Sequence, residues 1–115
     1  MAMTPERKVK KAVRQVLDAL GAYYVMPVTG GFGSQGAPDF LVCHQGLFYG
    51  IETKAGKGKL TALQQLNQQK IISAGGVALV IREEDVKYLP SLFLPHLTGE
   101  CNEERNTDNT SSETN

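Results

Sequence analysis

The chain has 115 residues, 12 basic and 12 acidic, and a formal net charge of zero. That length suffices for one domain with a modest core and excludes two. No run approaches the roughly 20 apolar residues of a membrane span, so no membrane partner is expected. The two cysteines, Cys43 and Cys101, fit neither a disulfide framework nor a zinc site, whose ligands come in close pairs. With an opening that runs straight into a charged helix rather than a secretory signal, an intracellular setting is expected.

The zero net charge conceals an asymmetry. From residue 99 onward five acids face Arg105 alone, a net of −4, which leaves 11 basic and 7 acidic residues, a net of +4, for the rest. A basic body suits a polyanionic partner. The domain is expected over residues 1–97, and the Asn/Thr/Ser/Glu-rich residues 98–115 are expected to be a disordered acidic and polar tail.

Thr4-Pro5 predicts a helix start, with Thr4 as N-cap and Pro5 at the first helical position. Val9, Val13, Val16, Leu17 and Leu20 recur at helical spacing, and Gly21 ends the helix. Glu6, three residues before Val9, is expected on the core-facing side, although an acid in a first turn also favours the helix dipole. Arg7, Lys8, Lys10, Lys11 and Arg14 fill the remaining surface, as a solvated face or as a phosphate-binding one.

Residues 22–28 read as a short strand, with Pro27 marking an edge. The glycine-rich residues 29–37 contain no Gly-Lys-Ser/Thr and open no helix, so neither nucleotide fingerprint applies. They read as a loop whose backbone can approach a substrate, or as a plain surface loop.

Residues 39–44 and 47–52 read as two strands around Gln45-Gly46. A symmetric two-residue turn places Asp39 directly across from Glu52 on one face, with β-carbons about 5 Å apart. Glu52 and Lys54 share that face, and Thr53 points to the other. Two facing carboxylates repel unless a cation lies between them. With a lysine two residues along, this is how a divalent-metal site for phosphodiester hydrolysis is built.

A flexible basic link, residues 55–59, carries Lys57 and Lys59. Thr61 and Gln64 then form a capping box, which by itself explains Gln64. Leu63, Leu66, Ile71 and Ala74 are expected to form the buried stripe of this second helix, which ends at Gly75. Residues 76–81 are a continuous apolar run, read as a strand covered on both faces. Residues 83–86 are read as the start of a short helical turn.

The order α-β-β-β-α-β resembles the PD-(D/E)XK nuclease superfamily and, within it, the VRR-NUC family of small nuclease domains in phage, bacterial and eukaryotic replication and repair proteins. The resemblance covers about residues 4–82. It rests on Glu6, Gly36-Ala37-Pro38-Asp39, Glu52-Thr53-Lys54, Leu60-Thr61 with Gln64, and Gly75-Gly76. It implies an α/β, restriction-endonuclease-like fold, a mixed sheet flanked by helices. It further implies that Asp39, Glu52 and the Thr53 carbonyl hold Mg²⁺ or Mn²⁺, and that Lys54 supports the attacking water. Glu6 would complete the acidic cluster, and Gln64 would lie near the scissile phosphate.

The activity so implied is a metal-dependent deoxyribonuclease in a bacterial or phage-infected host cytoplasm. No recognition helix or zinc finger is visible, so specificity is expected from DNA shape and backbone contacts by Arg7, Lys8, Lys10, Lys11, Arg14, Lys57 and Lys59. Stand-alone domains of this kind imply a homodimer that resolves four-way (Holliday) junctions. The alternatives are a monomeric flap- or end-directed nuclease and an inactive nucleic-acid-binding module of the same fold.

Overall fold

The computed structural model describes residues 3–28 and 36–93; the expectations for residues 29–35 and for the tail lie outside these. The chain runs α1 (Pro5–Leu20), β1 (Tyr23–Val25), β2 (Phe40–His44), β3 (Leu47–Thr53), α2 (Ala62–Ser73) and β4 (Val77–Ile81). A 3-10 helix (Glu83–Tyr88) and α3 (Leu89–Phe93) follow. The six principal elements appear in the expected order.

The strands form one sheet in sequence order, antiparallel from β1 to β3 and parallel between β3 and β4. The parallel pair requires a crossover, and α2 supplies it. Gln45 and Gly46 both have positive φ, 54° and 80°, as the tightest hairpin turn demands. The resulting register pairs His44 with Leu47 and Phe40 with Ile51, as the sequence implied.

Period-two alternation gives the sheet two different faces. One carries Phe40, Val42, Tyr49 and Ile51 and joins Ile81 to Val9, Val13 and Leu17 of α1 and to Leu89 and Phe93 of α3, forming the hydrophobic core. Phe93 closes one side of it, its ring 4.4 Å from Tyr49 and 5.3 Å from His44. Nothing in the sequence reading placed α3 or its two core residues.

The other face receives α2. Gly50 allows the approach: a β-carbon there would lie 2.5 Å from Ile71 Cδ1 and 3.0 Å from Pro38 Cγ.

Four expectations are corrected. The first strand covers only Tyr23–Val25, not residues 22–28. The apolar run 76–81 yields the edge strand Val77–Ile81, whose residues are half-buried except Ile81, so it is not fully covered. The expected stripe of α2 is not buried: Leu63 and Leu66 are exposed, as is Ala74, and Ile71 is half-buried. The residues that α2 turns inward, Gln64, Asn67, Gln68 and Ile71, are mostly polar. Finally, the link after β3 is tethered rather than free, because Gly56 N–H donates to the Glu83 carboxylate at 3.0 and 3.1 Å while Arg82 donates to the Gly56 carbonyl at 3.0 Å.

Candidate active site

Asp39 and Glu52 meet at the end of the sheet between the N-terminal turns of α1 and α2. The sequence implied that Asp39 is part of the strand ladder, but it occupies a bend just before β2. There its Oδ2 accepts from Thr53 N–H (2.9 Å) and from the Thr53 hydroxyl (2.6 Å). Thr53 is fully buried, so these two donors fix the carboxylate against a rigid strand end. The other oxygen, Oδ1, lies 3.5 Å from Lys10 Nζ.

Glu52 is only 4% exposed, unusual for an acid. Its Oε2 accepts from Gln64 Nε2 at 2.8 Å, whereas Oε1 is buried with no hydrogen-bond partner among the described residues. Burial is the largest influence on its acidity, with the Asp39 charge second. Together with Glu6 they outweigh Lys54 and Lys10 and push its pKa up to about 7.

A buried carboxylate oxygen without a donor, beside a second carboxylate, is a site short of positive charge. Its hard oxygen donors suit a Mg²⁺- or Mn²⁺-like cation.

Gln64 has two tasks. Its Oε1 accepts from Thr61 N–H (2.9 Å), and Thr61 Oγ1 accepts from Gln64 N–H (3.1 Å), completing the capping box. That contact dictates the amide orientation and aims Nε2 at Glu52. The capping box therefore does not exhaust the residue's role.

Glu6 departs from expectation: it is exposed rather than core-facing. Among the described residues no group of three or more His, Cys, Asp or Glu side chains is placed to hold a metal together, and the acidic pair is Asp39 and Glu52. Glu6 acts on Glu52 through its charge. Lys54 is half-buried just past the end of β3, its charge acting on Glu52 and its N–H bonded to Ile81 O at 3.1 Å. The Thr53 contacts seen here run through its N–H and hydroxyl.

The basic residues separate. Arg7, Lys10, Lys11 and Arg14, spaced three and four apart, line a cleft of about 360 Å³ with Met3 and Met26. Lys8 points elsewhere, into a small depression lined by Val9, Ala12, Glu83 and Val86. Lys57 and Lys59 are exposed on the tethered turn that follows Lys54.

Sequence reasoning missed the Lys10–Asp39 pair, although the four-residue spacing from Glu6 to Lys10 puts both on one side of α1. It also missed the Arg82–Gly56–Glu83 clamp, for which no local signal exists.

No family model matches the sequence, and no curated protein matches it. Among solved structures, one described as a VRR_NUC domain matches with a TM-score of 0.66 at 25% identity, covering 77% of this chain and 97% of that one. The fold and its carboxylate-bearing sheet end define a class: a nuclease of the restriction-endonuclease-like fold. Within that class the match supports membership of the VRR-NUC family, at low sequence identity.

Proposed function

We propose that this protein is a divalent-metal-dependent DNA endonuclease whose site is built from Asp39, Glu52 and Lys54. The observation that carries the reading is the buried Oε1 of Glu52, without a hydrogen-bond partner among the described residues, beside the Asp39 carboxylate. Those two carboxylates would hold the cation. A divalent ion there supplies Lewis acidity toward a phosphate oxygen and makes water more acidic.

The chain's own residues do the rest. Thr53 fixes Asp39, and Gln64 fixes Glu52. Lys54 orients the attacking water and stabilises charge growing on the phosphate as a point charge. The stripe Arg7, Lys10, Lys11 and Arg14 binds backbone phosphates on the side of the site that Lys10 reaches, with Lys57 and Lys59 near Lys54.

The test is cleavage of plasmid DNA with Mg²⁺ or Mn²⁺. Lys54→Ala is expected to lose cleavage by about 10³-fold, the scale of one electrostatic group in a site of this type, while DNA binding survives. EDTA is expected to abolish cutting. Full activity in the variant, or undiminished cutting in chelator, overturns the assignment.

The finer reading is a homodimer resolving four-way junctions. Two equivalent sites suit two equivalent strands, and the exposed Leu63, Leu66 and Ile72 of α2 offer apolar surface for association. Light scattering with a panel of linear, flap, splayed and junction DNAs decides it. A monomer that prefers flaps or ends overturns the dimer and leaves the nuclease reading standing.

A further inference from the structure

We propose that Lys10 is the site's resident counter-cation: it holds Asp39 while no divalent ion is bound and passes to the DNA-facing cleft when one arrives. The proposal rests on the metal-dependent reading above and adds a residue to it.

Lys10 Nζ lies 3.5 Å from Asp39 Oδ1, the oxygen that the two Thr53 donors leave open. The same side chain lines the cleft formed with Arg7, Lys11 and Arg14. It therefore stands between the two places where this protein would meet opposite partners, a cation on one side and a phosphate chain on the other. With 34% of the side chain exposed, against 18% for Asp39, the flexible four-carbon stem has room to move outward while the carboxylate stays fixed.

An ammonium and a divalent ion next to one carboxylate oxygen repel each other, and in a partly desolvated site that repulsion is large. Arrival of the ion thus drives the Lys10 ammonium outward, and the cleft is where a phosphate receives it. Linkage requires the converse. A phosphate that draws Lys10 away opens Asp39, so DNA and metal strengthen each other's binding. The free protein holds metal weakly, and the substrate helps to load it.

The experiment is calorimetric titration of Mn²⁺ into the full chain at low ionic strength, without DNA. Lys10→Met is expected to bind Mn²⁺ about tenfold more tightly than wild type, because the competing charge is gone. Lys10→Arg, which keeps the charge, is expected to stay within about twofold.

Lys8→Met removes one charge from the other side of the same helix and is expected to leave the affinity unchanged. Lys10→Gln repeats the Lys10→Met measurement should that variant fold poorly. Equal or weaker binding in the Lys10 neutral variants overturns the proposal, as does equal tightening in Lys8→Met. If the wild type binds Mn²⁺ and the Lys10 variants match it, the counter-cation role alone falls. If neither the wild type nor the Lys10 neutral variants bind Mn²⁺, the metal reading falls with it.

Discussion

Helix α1 buries Val9, Val13 and Leu17 at 2% exposure or less, whereas α2 buries no residue and leaves Leu63 and Leu66 at 46% and 45% exposure. Burying three such side chains contributes on the order of 5–9 kcal/mol before entropy is counted. α1 is thus anchored by its apolar stripe, and its opposite side is free to carry cations to the carboxylates. α2 is held by other means: a complete capping box, the Ile71 side chain seated on Gly50, and a half-buried polar face that delivers Gln64 to Glu52. The helix that resembles a core helix by its leucines is therefore the one devoted to the site.

The largest effect that tests this contrast is on stability. Leu17→Ala is expected to cost about 2–5 kcal/mol by urea unfolding. Leu66→Gln is expected to stay within about 0.5 kcal/mol. A comparable loss from both would mean that the leucines of α2 are covered and the contrast is false.

The next effect concerns pH. Glu52 rises from its ordinary 4.5 to about 7 in the folded chain, so the folded state holds that proton more tightly than the unfolded one. Stability of the metal-free protein is then full below the unfolded value and falls as pH rises through about 7. The loss approaches 3 kcal/mol, roughly, by pH 8. In EDTA, Glu52→Gln is expected to remove this fall and to be more stable than wild type at pH 8; with Mg²⁺ present it is expected to lose cleavage. An undiminished fall in the variant would assign the pH dependence to other groups.

The smallest effect separates the two tasks of Gln64. Gln64→Ala removes the Oε1 half of the capping box and the Nε2 donor but leaves the Thr61 side-chain cap, and it is expected to cost up to about 1 kcal/mol in stability, with slower cleavage. Gln64→Glu keeps an acceptor for Thr61 N–H but has no donor for Glu52. It is expected to preserve the cap and still slow cleavage. Full activity in Gln64→Glu would show that the residue serves the helix alone.

Much of the architecture was legible from local chemistry. Thr4, Pro5 and Gly21 bound α1 as capping preferences require, and its apolar period is the buried stripe. Gln45-Gly46 set a hairpin register that brings Asp39 to the end of β3, since a two-residue turn leaves no freedom in pairing. The Thr61/Gln64 capping box formed as expected.

What failed were inferences about which way a helix face turns and how far a strand is covered. The leucines of α2 lie outward because Ile71 on Gly50 sets the rotation of that helix. Glu6 stands off because the core-facing arc of α1 begins at Val9, a turn further in.

Sequence by itself determined the element order, the caps and the hairpin register, and it singled out Asp39, Glu52 and Lys54 as the candidate acidic pair with its lysine. These depend on residues near one another in the chain, where propensity, alternation and turn geometry act directly. Only the tertiary structure decided that Thr53 pins one oxygen of Asp39 while Lys10 takes the other, that Gln64 reaches Glu52, and that one oxygen of Glu52 is buried without a partner among the described residues. These contacts join α1, the start of β2, β3 and α2, and their strength comes from burial. Burial is a property of the packed chain and not of any segment of it.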